Sequence, residues 1–199
     1  MVKRGILGGT FDPPHAGHLL LAKAACRELG LDEVIFIPAG EPWVKAALKV
    51  SPAADRLEMV RLAVAGLTCF QVSDLEVKRP GPSYTWETLE ALKREYPGDE
   101  LWFILGWDNL AALPGWHRAD RIVANARLAA APREGFARPD LKKLEEVIPG
   151  IGEAAVIMEG PRVEISASEI RRRLRRGEAT DELLPPAVAD YVKAAGLYR

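Results

Sequence analysis

Cysteine is scarce in this chain: Cys26 and Cys69 are the only two, and they lack C-x-x-C spacing. That excludes a disulfide-stapled scaffold and a thiolate zinc site, and leaves both as small buried apolar residues of a reducing compartment. Long apolar runs are missing as well, and none approaches the ~20 residues that a bilayer-spanning helix needs. Lys3 and Arg4 are followed by a glycine-broken stretch where a secretory leader would carry its apolar core, so no signal peptide is expected. Nor is there an excess of one charge: 27 Lys and Arg against 28 Asp and Glu leave −1, which argues against a general nucleic-acid binder. The expectation is a soluble cytoplasmic protein with neither a membrane nor a nucleic-acid partner; a homo-oligomer is compatible with the composition. Positive charge gathers only locally, where Arg171, Arg172, Arg173, Arg175 and Arg176 crowd one segment.

What is present reads as an α/β fold. Short apolar runs alternate with helix-period segments, the pattern of a parallel sheet with crossover helices. Strands are expected at 5–8, 34–37, 70–72, 101–105, 128–131 and 155–158. Helices are expected at 16–29, closed by Gly30, and at 55–64, 85–96, 170–176 and 188–195. Segments 45–52 and 133–139 read as mobile loops. The fold class is a doubly wound, Rossmann-like parallel sheet with helices on both faces. It forms a single domain over residues 1–199, with 165–199 as a small C-terminal helical part. Right-handed crossovers bring the ends of the first, second and fourth strands to one sheet edge, where ligands bind in such folds.

Gly8-Gly9-Thr10-Phe11-Asp12-Pro13-Pro14-His15-Ala16-Gly17-His18 is the most informative stretch. Two glycines directly after a strand let backbone N–H groups approach an anion with no Cβ in the way. His15 and His18, three apart at a helix start, project from one face, and the helix terminus adds partial positive charge. Such a site suits a polyphosphate. The plain alternatives are a simple turn and a histidine metal pair. The spacing fits neither a P-loop nor a dinucleotide-binding fingerprint.

Near the other end, Ser166 followed by Glu169 reads as a capping box that starts a helix at Ala167. Ser168 and the free N–H groups of that turn can hold phosphate, with Arg171 one turn along. The alternative is a capped surface helix with a solvated arginine face.

His15-Ala16-Gly17-His18 within Gly-Gly-Thr-Phe-Asp-Pro resembles the nucleotidyltransferase superfamily with the H-x-G-H motif. Ile165-Ser166-Ala167-Ser168-Glu169-Ile170-Arg171 is similar to its second, triphosphate-gripping element. Within that superfamily the chain looks like the bacterial nicotinate-nucleotide adenylyltransferases, and the likeness runs nearly its whole length. It implies transfer of the AMP part of ATP to nicotinate mononucleotide, with Mg²⁺ held mainly by phosphates and by no protein side chain. It assigns His15, His18 and Arg171 to catalysis, and Gly8, Gly9, Thr10, Phe11, Gly106, Asp108, Ile165 and Ser168 to ATP. For Asp108 that means ribose hydroxyls, the plain alternative being a helix cap.

For the acceptor the likeness points to Lys45, Tyr84, Thr85, Trp116 and Arg133. Tyr84 and Thr85 open a helix, where a carboxylate gains N–H donors, and Trp116 can stack on a cationic pyridine ring. Two stretches depart from the family pattern. Pro42-Trp43-Val44-Lys45 keeps the usual lysine but lacks the histidine before it, and Pro132-Arg133-Glu134-Gly135-Phe136 replaces Arg-Pro-Gly-Tyr. Alternative acceptors are nicotinamide mononucleotide and phosphopantetheine; a nucleotide sensor without catalysis is the non-enzyme reading. A tRNA synthetase, which shares H-x-G-H, would need a longer chain and a basic tRNA face.

Overall fold

A computed structural model of the chain describes residues 1–42, 50–161 and 164–199. Six parallel strands form one sheet in the order β3-β2-β1-β4-β5-β6. They are β1 (Lys3–Gly9), β2 (Glu33–Pro38), β3 (Phe70–Val72), β4 (Glu100–Gly106), β5 (Arg127–Ala131) and β6 (Ala155–Ile157). The chain starts at the centre, steps outward to β3, then returns across β1 to lay down β4. Connections therefore leave β1 and β4 toward opposite sides, and a crevice opens between their carboxyl ends.

Both faces of the sheet are covered, and the period-two alternation of the strands shows how. Ile6, Ile35, Ile37, Phe103 and Leu105 face one core with Leu89 and Leu92 of α4 (Thr85–Glu95) and Ile122 of α6 (Ala119–Asn125). Their neighbours Leu7, Val34, Phe36, Trp102 and Ile104 face the other. There they meet Ala22 and Ala25 of α1 (Ala16–Leu29), and Val60 and Val64 of α2 (Ala53–Val64). The outer side of α2 then carries a third cluster, in which Met59 and Ala63 meet Ile170 of α9 (Ala167–Arg175) and Val188 and Val192 of α10 (Pro186–Ala194). That packing brings the start of α9 back to the mouth of the sheet.

Every expected strand is present; β1, β2, β4 and β5 run one to three residues longer than expected, and β6 one shorter. Gly30 ends α1 in the left-handed region at φ 62, with its N–H bonded to the Cys26 carbonyl. Five short helices lie outside the expectation: α3 (Leu75–Lys78), α5 (Trp107–Ala112), α6, α7 (Leu141–Val147) and α8 (Ile151–Ala154). Each has seven residues or fewer, too short to register as a helical period. Cys26 and Cys69 correct another expectation, being partly exposed rather than buried. Burial and the neighbouring Cys69 nevertheless hold the Cys26 thiol up at about 11. Among the described residues, no helix is long and apolar enough to cross a membrane.

Candidate active site

The carboxyl ends of β1 and β4, the start of α1 and the first turn of α9 line a cavity of about 340 Å³. Gly8, Gly9, Thr10, Phe11, His15, His18, Gly106, Asp108, Trp116, Arg133, Ser168 and Arg171 all contribute to its wall. Ile165 does not; it packs on the cluster between α2, α9 and α10. Tyr84 and Thr85 are also off the wall, at the start of α4, where the Tyr84 ring stacks on His117 at 4.6 Å, one residue beyond Trp116. Lys45 falls outside the described residues, as does most of the 45–52 loop.

The turn after β1 is tight, and its geometry comes from packing. Phe11 takes a φ of 50, rare outside glycine, so something must hold it there. Its ring is buried edge-on against His18 at 4.8 Å and tilted against Phe36 at 5.9 Å. His15 then supplies the extended residue ahead of α1, and its N–H donates to Nδ1 of His18 at 3.1 Å. Because Nδ1 accepts, the proton of a neutral His18 ring sits on Nε2. The two imidazoles stack at 3.7 Å, one face as expected.

The charge of His15 is set by its surroundings. Burial first, and the Arg133 cation second, pull its pKa down to about 4, so the ring is neutral at pH 7 rather than a cation. Its Nδ1 is buried and finds no hydrogen-bond partner among the described residues. A polyanion in the cavity would counter both effects.

Across the cavity, Gly106 ends β4 and α5 begins at once. Trp107 ties this helix to the sheet by donating its indole N–H to the Ala130 carbonyl at 3.2 Å. Asp108 follows, with Oδ2 3.4 Å from Arg133 Nε and Oδ1 buried without a hydrogen-bond donor among the described residues. A Cβ on Gly106 would lie 2.4 Å from that Oδ1, so only glycine leaves the carboxylate its place. Trp116 meets Phe103 edge-on at 6.2 Å.

The start of α9 is capped as expected on one arm only. Ser166 Oγ accepts from the Glu169 N–H at 3.2 Å. The Glu169 carboxylate takes Arg172 and Arg173 instead of the Ser166 N–H, and these arginines hold it down at about 2. Arg171 turns inward, donating to the Asp12 carbonyl at 2.7 Å and to Ser168 Oγ at 3.3 Å.

One organising residue escaped the sequence reading. Arg56, 1% exposed, donates to the carbonyls of Thr10 (2.9 Å), Ala39 (2.6 Å), Gly40 (2.9 Å) and Ser51 (2.9 Å). It thus clamps the chain after β1 to the chain after β2. The available signal was a cation on the apolar face of a helix, beside Met59 and Val60, with no acidic residue four away. From Gly40 the order continues: its N–H donates to Ser83 Oγ at 2.9 Å, which fixes the entry to Tyr84. Among the described residues no group of three or more His, Cys, Asp or Glu is placed to hold a metal ion.

Residues 6–173 match the cytidylyltransferase-like family. A Dehalococcoides mccartyi protein named probable nicotinate-nucleotide adenylyltransferase is 52% identical over 99% of this chain and 97% of its own length. One of the same name from Roseiflexus sp. is 45% identical, over 98% of this chain and 97% of its own. Among solved structures, Plasmodium falciparum nicotinic acid mononucleotide adenylyltransferase complexed with NaAD matches with a TM-score of 0.82, over 100% of this chain and 98% of that one. At 19% identity that likeness is one of fold.

Proposed function

The chain belongs to the cytidylyltransferase-like family, among the nicotinate-nucleotide adenylyltransferases, and from that premise we propose that it transfers the adenylyl group of ATP to nicotinate mononucleotide. The products are nicotinate adenine dinucleotide and pyrophosphate, a step of NAD biosynthesis, and the location is the cytoplasm. The whole chain acts as one nucleotidyltransferase unit, with residues 165–199 bringing the second phosphate element. The observation that carries this reading is the convergence of the His15–His18 pair, the first turn of α9 and Asp108 on one cavity.

In this reading the acceptor's phosphate oxygen attacks the α-phosphorus of ATP in line and pyrophosphate leaves. The attacking oxygen is already ionised at neutral pH, so positioning and charge stabilisation carry the catalysis. His18 presents Nε2–H to the transferring phosphate. His15 gains its proton as the polyanion arrives and then faces the same charge. Thr10 and the Gly8–Gly9 backbone cradle the phosphates, while Ser168, Arg171 and the N–H groups of α9 take the pyrophosphate portion. Phe11 keeps His18 in place, and Gly106 makes room for Asp108 to accept from ribose hydroxyls. Mg²⁺ enters with ATP as part of the substrate, bound through phosphate oxygens, which suits a wall of cations and N–H donors.

Trp116 and Arg133 face the acceptor, with Tyr84 and Thr85 as its outer contacts, and the family likeness assigns Lys45 to the same substrate. The test is pyrophosphate release from Mg²⁺–ATP with nicotinate mononucleotide, nicotinamide mononucleotide and phosphopantetheine in parallel. Turnover with the first alone is expected. If another acceptor wins, the specificity reading falls; ATP binding with no turnover would mark a nucleotide sensor.

A further inference from the structure

We propose that Tyr198, next to last in the chain, is a positioning residue for the triphosphate: it holds the Asp12 carboxylate off Arg171 and keeps that guanidinium available to phosphate. This rests on the reading of Arg171 as a phosphate ligand given above.

The Asp12 carboxylate is 4% exposed and lies between two guanidinium groups. One is Arg56, which already makes four bonds to carbonyls. The other is Arg171, with Nη1 4.0 Å from Oδ2 of Asp12. A carboxylate and a guanidinium at that range ordinarily close into a charge-assisted pair of about 2.8 Å. Here they do not. Oδ1 accepts from the Tyr198 hydroxyl at 2.6 Å, and among the described residues Oδ2 accepts only a long bond from the Ser51 N–H at 3.4 Å. Arg171 keeps its nearer contacts on the neutral Asp12 carbonyl and Ser168 Oγ, so at the cavity wall it is paired only loosely, at 4.0 Å, with the Asp12 carboxylate.

Tyr198 is held for this task from outside the site. Leu197 packs on the cluster between α2 and α10, and its N–H bonds the Val192 carbonyl at 3.0 Å. The chain then turns through a φ of 65 at Tyr198, which sends the phenol inward to Asp12. Burial and the bond to Asp12 raise its pKa far above the usual tyrosine range, so the hydroxyl remains a donor at all working pH values. Without that hydroxyl, Oδ1 would be a buried acceptor lacking its donor. Arg171, already 4.0 Å from the other oxygen of that carboxylate, is placed to satisfy it, and each bond so formed competes with phosphate.

Calorimetric titration of Mg²⁺–ATP and Mg²⁺–pyrophosphate into the full chain tests this, alongside KM for both substrates. Tyr198→Phe is expected to weaken both ligands roughly tenfold, the factor carried by about 1.4 kcal/mol, while KM for the mononucleotide holds. Asp12→Asn/Tyr198→Phe, which deletes the competing charge, is expected to regain most of the lost affinity. A Tyr198→Phe protein that binds ATP like the parent overturns the proposal. So does a double variant as weak as the single one, because packing would then be the cause. If Tyr198→Phe does not fold, Asp12→Asn alone decides, since a tenfold loss of ATP affinity there contradicts a competing carboxylate. A parent chain that binds ATP but adenylates no mononucleotide sinks the acceptor reading alone, whereas one blind to ATP and pyrophosphate sinks both.

Discussion

At the end of the cavity that we propose holds the phosphates, two helix starts and a glycine turn lie together, with His15, His18 and Arg171 added to them. At the proposed acceptor end, side chains from separate elements meet: Trp116 on Phe103 of β4, Tyr84 ahead of α4 on His117, and Trp86 of α4 donating to His117 at 3.1 Å. The first end has local bonds that hold its helix starts, such as His15 to His18 and Ser166 to Glu169, tied together by the long-range bonds of Arg56 and Arg171. The second depends on contacts between residues well separated in sequence, from Phe103 to Trp116 and from Tyr84 and Trp86 to His117. A phosphate is the same in every nucleotide, so its site can be built once from main chain. An acceptor must be told from its neighbours, which takes side chains whose loops can differ.

The comparison breaks if the two ends do not separate in kinetics. His18→Ala should give the largest effect, a loss of about 10³ in kcat, as for removal of one preorganised donor to developing charge. KM for either substrate should move little. Steady-state pyrophosphate release reads both, and a change confined to KM would reduce the phosphate end to a binding site. Trp116→Ala comes next, with a roughly tenfold rise in KM for the mononucleotide, the scale of a desolvated aromatic–cation contact. KM for ATP should hold; if it rises equally, Trp116 belongs to both ends.

The smallest effect is in pH. The folded pKa of His15 is about 4, below the 6.5 of the unfolded chain. Between those values the unfolded chain binds the extra proton, so this contribution to stability is complete above pH 6.5 and is lost as the pH falls toward 4. Urea denaturation at pH 7 and 5.5 should show a loss of about 1 kcal/mol in the parent chain that His15→Gln lacks. Equal losses in both would mean that His15 titrates normally.

The sequence showed the phosphate end well because its signals are local: glycines after a strand, a serine cap, a histidine pair. The sheet was equally legible, since runs such as Val34–Ile37 are buried on both faces and carry no period to misread. The misses are long-range. Arg56 binds carbonyl oxygens, which every residue has, so no side-chain pattern named its partners. Glu169 had two sets of partners open to it, and two arginines outweighed one N–H. Tyr84 reads as a helix opener in sequence; only the fold brings His117 against its ring.

The clamp at Arg56 also bears on the field inside the cavity. A trans peptide points its N–H opposite to its carbonyl. With the Thr10 oxygen drawn toward the guanidinium, the N–H of the Thr10–Phe11 peptide is turned away from it, on a stretch where both residues line the cavity. The buried cation is thus solvated by chain oxygens and lies in the field of the Asp12 and Glu76 carboxylates, while the peptide it orients holds its N–H on the far side from it, so Arg56 shapes the main chain that an incoming anion would meet.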